Sequence, residues 1–415
     1  MSLTPRAATL LGSCALAALL IPAELAGLAI LAIVVVALVD AWVVRGSLQI
    51  RRRVPRVVSR GVPSDFSITT GPTRAGRVRL RQATPADITI DVPEADGELR
   101  ARITAQRRGL HTLPEVAART DGPLGLGRWY HRSGGDHGVL VFPDLVSARR
   151  LALAVREGRF REPGRAPRGP LGLGTDFESI RDYSPDDDIR LVNWIATARL
   201  GKPMSNQYRL EQDRELICVI DSGRLMGAPL GEVTRLDVMV DAATAMVMVA
   251  EQMGDHCGLI AFDSRIRRRL SPRRRASRDF VESIFDLEPS SEDSDYELAF
   301  RHLENSKRAF VLVLTDLLEE SAGRALIDAV PLLARRHHIV VASVTDTDLD
   351  ALVTTEPTTA HDVYASGVAL GVLGERTKVS ARLRGAGAEV VEGKPGQLGA
   401  ICVGAYLRAK ARARS

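Results

Sequence analysis

Residues 215–262 read ELICVIDSGRLMGAPLGEVTRLDVMVDAATAMVMVAEQMGDHCGLIAF. The run 216–220 is continuously apolar and ends at Asp221, which predicts a strand buried on both faces. Residues 235–253 carry apolar side chains at helical spacing and predict a long amphipathic helix. Residues 257–262 form a second buried strand, so the stretch is a strand–helix–strand unit. The rhythm continues downstream. A strand at 267–270 pairs antiparallel with 257–262, and helices at 276–285 and 296–305 follow. A strand at 310–314, a helix at 322–336 and a strand at 339–344 come next. A helical stretch within 363–384, a short strand at 389–392 and a helix from Gln397 complete the chain. Alternation of this kind means a mostly parallel sheet covered on both faces. In such sheets chemistry gathers where the strands' carboxyl ends open into loops. Those loops hold Asp221, residues 290–295, Asp316, and Asp346 with Asp348.

Upstream the period changes to two. Residues 67–70, 77–80, 88–92 and 99–103 alternate apolar and polar side chains between Pro and Gly breaks, as in a small antiparallel β-sandwich. A helix over 145–157 follows, then a Gly-, Pro- and Arg-rich linker or exposed loop at 159–174. The hexapeptide GPLGLG occurs twice, at 122–127 and 169–174. Tyr130 and Phe177 stand where a dinucleotide fingerprint needs its third glycine, and no Lys-Ser/Thr follows, so both copies read as turn-forming loops.

At the N-terminus, residues 7–21 and 25–44 are apolar apart from Asp40, with Pro22-Ala23-Glu24 between them. The second run reaches the ~20 residues that cross a bilayer. The first spans about 22 Å as a helix. Arg6 precedes the pair, and Arg45, Arg51, Arg52, Arg53 and Arg56 follow it, which predicts a transmembrane helical hairpin with both ends cytoplasmic. Trp42 then lies at the interface and Asp40 reads as a near-interface carboxylate. A cleaved signal peptide, with Leu25-Ala26-Gly27 as its processing site, is the competing reading of the first run.

Composition bounds the rest. Of 415 residues, 45% are hydrophobic and 26% charged, which excludes disordered, collagenous and coiled-coil chains. Aromatics at 4% and a net charge of +5 argue against nucleic-acid binding. Of the 56 basic residues only Lys202, Lys307, Lys378, Lys394 and Lys410 are lysines, a bias that fits GC-rich coding. Cys14, Cys218, Cys257 and Cys402 lack CxxC spacing, so neither a disulfide framework nor a zinc site is expected. The Arg267–Arg269 and Arg273–Arg275 clusters read as a solvated surface or one for an acidic partner, and His337-His338 as structural. Asp237 and Asp241 read as a polar helix stripe. No hydrolase, zincin or Walker pattern occurs, and the expectation is a non-enzyme.

Residues 175–199, TDFESIRDYSPDDDIRLVNWIATAR, alternate Arg, Asp and aromatic side chains too densely for a simple amphipathic element. Arg181, Arg190 and Arg199 suit bidentate pairing with Asp182, Asp186, Asp187 or Asp188, and Trp194 offers a flat anchor. The spacing predicts a buried ion-pair cluster that locks two domains together, with direct ligand contact as the alternative. A hydrolytic use of Asp186–Asp188 is the weakest reading.

This stretch resembles the signature of the bacterial DUF58 family, F-x-x-I-R-x-Y-x-P-G-D-D-x-R-x-I-x-W-x-x-S-A-R. Phe177, Ile180, Arg181, Tyr183, Pro185, Asp187, Asp188, Arg190, Trp194, Ala198 and Arg199 match it. Asp186, Val192 and Thr197 depart from it. The resemblance implies an α/β plus β architecture: a transmembrane hairpin (1–45), a β-sandwich (46–145), a linker with the signature (146–212) and a von Willebrand factor A-like doubly wound domain (213–415). It makes Arg181, Tyr183, Asp187, Asp188, Arg190, Trp194 and Arg199 an interaction segment. Intact A-type domains hold a divalent ion through D-x-S-x-S, a later Thr and a later Asp. Here Asp221, Ser294 and Asp316 stand at matching positions, but Gly223 and Leu225 replace the two serines. The resemblance therefore implies a degenerate Mg2+ site with no resident cofactor, Arg224 pairing with one of its carboxylates. It also implies a partner, a MoxR-type AAA+ ATPase with its client proteins, and an inner-membrane location with cytoplasmic soluble domains. A standalone metal-dependent adhesion or sensing domain is the other function it allows.

Overall fold

The computed structural model describes residues 1–415 except 21, 47, 165–175, 185–188, 190–191, 210–213, 305, 317–319 and 413–415. The chain falls into two compact units, Met1–Phe142 and Pro143–Ser415.

In the first unit a short strand, Ser2–Leu3, leads into helix α1 (Pro5–Ala17), whose cap Thr4 accepts from the Ala7 amide. Helix α2 (Ala23–Val43) packs along α1, and its Glu24–Val43 stretch is long and apolar enough to cross a membrane. Strands then form sheets of five, four and three members around one apolar core that includes Phe66, Ile68, Leu80, Leu99, Ile103 and Val139. Glu98–Ala105 shows why: its side chains alternate between solvent and core. Pairing among these strands is antiparallel except for Val57–Ser59, which runs parallel to His137–Phe142 and departs from the expected all-antiparallel arrangement. A two-residue hairpin cannot make such a pair, so the strand at 57–59 joins from a distance in sequence.

The second unit opens with α3 (Leu145–Arg156), which packs on α5 (Arg235–Gln252). The helix expected at the head of a linker thus belongs to the αβ body. A strand pair, Asp176–Asp182 with Met204–Arg209, flanks the short helix α4 (Trp194–Leu200). The main sheet has the order Ile266–Arg273, His256–Phe262, Glu215–Asp221, Ala309–Leu314, His338–Val344, Glu389–Gly393, and only its first edge strand is antiparallel. Alternate residues of the central strand divide between two cores. Leu216, Cys218 and Ile220 face α3, α5, α6 (Ser277–Ile284) and α11 (Leu398–Arg412). Ile217 and Val219 face α7 (Tyr296–Arg301), α8 (Glu320–Ala334) and α10 (Ala360–Gly385). The αβ rhythm read from residue 215 onward is this sheet. Helix α9 (Thr347–Thr354), capped by Asp346, was not foreseen.

Candidate functional site

Three carboxylates gather at the carboxyl end of the sheet because each follows a central strand. Asp221 ends Glu215–Asp221, Asp316 follows Ala309–Leu314, and Asp346 follows His338–Val344. Parallel neighbours in register bring their ends to one edge.

Asp221 is buried and saturated. Its Oδ1 accepts from the Gly223 amide at 2.8 Å and from Ser294 Oγ at 2.5 Å. Its Oδ2 accepts from Tyr296 OH at 2.9 Å and from Thr315 Oγ1 at 2.7 Å. A carboxylate offers about four lone-pair sites, and these donors occupy them. Burial, with Asp221 alongside, pushes the Tyr296 phenol well above its ordinary range, so Tyr296 stays a donor. Ser222 donates to the Phe262 carbonyl and turns away from this group.

Asp316 and Asp346 are bridged by one guanidinium. Arg235 Nη1 forms an ion pair with Asp316 Oδ2, and Nη2 lies 2.6 Å from Asp346 Oδ2. The Arg235 side chain is 4% exposed and that of Asp316 0%. Burial lowers the Arg235 pKa, Asp346 opposes that shift and Arg376 adds to it. Asp346 Oδ1 meanwhile accepts from the Asp348 and Leu349 amides and caps α9. A second buried guanidinium, Arg376, donates to Ser343 Oγ and to the Val344 carbonyl and lies 3.2 Å from Glu392.

The expected partner of these carboxylates, Arg224, is elsewhere: its Nε meets exposed Asp293 Oδ1 at 3.1 Å. Arg224 leaves the strand on the solvent side of a 3-10 turn, whereas Arg235 starts the helix that crosses the sheet. Asp237 and Asp241 are likewise more than a polar stripe. Asp237 completes a capping box with Thr234, and Asp241 accepts from the Asp144 amide.

A divalent ion needs several oxygens with free lone pairs converging on one point. The donor set does not fit one. Asp221 and Ser294 do meet, but as acceptor and donor to each other, while Asp316 is bound to Arg235. A Cβ at Gly223, where the motif has serine, would lie 2.1 Å from Ser294 Oγ. Among the described residues no group of three or more His, Cys, Asp or Glu side chains is placed to hold a metal ion.

The signature segment is open rather than buried where it is described. Arg181, Asp182 and Arg199 are exposed, Lys202 pairs with Asp182 at 2.7 Å, and Tyr183 is half-buried. Trp194 is 68% and Ile195 78% exposed on α4, which Asn193 caps. Of the carboxylates expected in the buried cluster only Asp182 lies among the described residues, and it is exposed. Asp186, Asp187, Asp188 and Arg190 lie outside the described residues, as does the second GPLGLG copy. On the antiparallel edge, Arg267, Arg268 and Arg273 pair with Asp263, Asp286 and Asp279. His337 Nδ1 accepts from the Ala309 amide, a structural role.

One constellation in the first unit escaped the sequence reading. Asp40 is 3% exposed and is held by the loop at 122–127. Its Oδ1 accepts from the Leu124 amide at 2.9 Å, and its Oδ2 from the Leu126 and Gly127 amides at 2.8 and 2.9 Å. The first GPLGLG is thus a cradle as well as a turn. A Cβ at Gly122 would lie 2.2 Å from Asp40 Cγ, and one at Gly127 2.1 Å from the Ala37 carbonyl oxygen. Thr4 reaches the same loop, through its amide to the Leu126 carbonyl and its Oγ1 to the Gly125 carbonyl. The signal was there: a charge at the end of an apolar helix, and a loop with glycine at both ends.

No curated protein matches the chain. Among solved structures, a superoxide reductase (neelaredoxin) from Ignicoccus hospitalis is 11% identical over 22% of this chain and 78% of that one, with a TM-score of 0.14. The sulfur carrier protein SoxY from Chlorobium limicola f thiosulfatophilum is 18% identical over 26% and 97%, also at 0.14. At that score neither bears on fold or function. Residues 179–366 match the family model described as "Protein of unknown function DUF58".

Proposed function

We propose that the chain is a membrane-anchored, non-enzymatic adaptor whose αβ unit binds protein partners. On this reading it works with a MoxR-type AAA+ ATPase in protein maturation or envelope homeostasis. A helical hairpin built from α1 and α2 holds it at a bacterial inner membrane, with the soluble parts in the cytoplasm. The observation that carries the proposal is the face of α4. Trp194 and Ile195 stand in solvent within the matched region, beside the exposed Arg199. Large exposed apolar side chains with an adjacent arginine are the composition of protein-binding hot spots. The internal bonding of Asp221 and Asp316 supports a scaffold rather than an acid–base role for the strand ends.

The test is affinity capture of the full-length protein from gently solubilised native membranes, with crosslinking and mass spectrometry. A parallel capture carries Trp194→Ser and Ile195→Ser, exposed changes that leave both cores intact. The expected result is an AAA+ ATPase crosslinked near α4 and lost from the double variant. No ATPase enrichment over an unrelated membrane bait sinks the reading.

A further inference from the structure

We infer that the Arg235 guanidinium is the resident cation at the top of the αβ sheet, standing where a divalent ion would otherwise bridge the carboxylates, so that this site works without metal. Three independent observations carry this. First, the guanidinium bridges carboxylates from two neighbouring strand ends, Asp316 and Asp346, and is itself almost fully buried. Such a position between anionic oxygens is the one a hard cation takes. Second, Asp221 has no lone pair left to offer, since Gly223, Ser294, Tyr296 and Thr315 donate to it. Third, Arg235 is the first residue of α5, where the helix dipole disfavours a positive charge. A cation held at the wrong helix end, out of water, persists because opposite charge meets it there. Glycine at 223 agrees, because the space a serine there would need is filled by Ser294 Oγ. The inference does not depend on the adaptor role.

The experiment uses the full chain in detergent micelles, stripped with EDTA and titrated with MnCl2, MgCl2 or CaCl2 while thermal unfolding is followed. The wild type is expected to show no ion-dependent change. Arg235→Met leaves Asp316 and Asp346 facing each other without a cation. Mn2+ at about 100-fold its dissociation constant is expected to raise that variant's unfolding temperature by roughly 5–10 °C. Adding Asp316→Asn to R235M should abolish the rise. A folded R235M that ignores all three ions overturns the inference. So does a wild type that is stabilised by an ion and loses that response with Asp221→Ala. Should R235M fail to fold, Mn2+ binding to the wild type, counted by electron paramagnetic resonance, decides. About one bound ion per chain, lost in Asp221→Ala, overturns the inference; absence of such an ion supports it.

Discussion

Asp40 and Arg235 each bury a single charge at the helix end that its dipole disfavours, a carboxylate in the last turn of α2 and a guanidinium in the first turn of α5. The chain neutralises them by opposite means. Asp40 is met by three backbone amides of one loop, which need glycine for close approach but no particular side chains. Arg235 is met by two carboxylates from separate strands, which need those side chains and nothing special of the backbone. The fragile points therefore differ in kind: Gly122 and Gly127 in the first unit, Asp316 and Asp346 in the second.

Breaking each arrangement should separate them. The largest effect is expected for Arg235→Met, about 3–5 kcal/mol, because removing one member of a buried pair leaves uncompensated charge. Denaturant unfolding would show it, and a loss near zero would mean that water already reaches the two carboxylates. Asp40→Ala should cost about 3 kcal/mol, since three inward amides lose a charged acceptor. Asp40→Asn should recover about half of that, because its carbonyl oxygen still accepts. If Asn is as damaging as Ala, the charge rather than the amide geometry governs the joint.

The smallest effect concerns pH. His338, 3.7 Å away, and then Arg408 hold the Glu389 carboxyl down to about 2 against the burial that raises it. A depressed carboxylate stabilises the fold above its unfolded value near 4.5, and that contribution fades as pH falls toward about 2. With one side of Glu389 still partly in water, about 1–3 kcal/mol is expected. Glu389→Gln should flatten the acid limb of the stability profile between those values, and an unchanged limb would count against the pairing.

What could be read along the chain was local. The strands ending at Asp221 and Phe262 announce themselves as apolar runs, and α5 by its helical spacing. The short helix α9 was lost because its signal, an Asp cap followed by TDLDALVT, also reads as an acidic loop. The site was legible only as a set of strand ends. Arg224, three residues from Asp221, was the natural candidate for its cation, yet the cation comes from Arg235, 111 residues from Asp346. Likewise 84 residues separate Asp40 from Leu124. Long-range charge partners leave no periodicity behind, so only the fold reveals them.

The loop around Leu124 also has a mechanical consequence. It grips the end of α2 through Asp40 and the start of α1 through Thr4, two points on one β-hairpin formed by Val116–Asp121 and Gly127–Ser133. A single attachment lets a rod swivel, whereas two attachments at a separation resist both tilt and twist. Torque on the helix pair is therefore passed to this hairpin at two points rather than one.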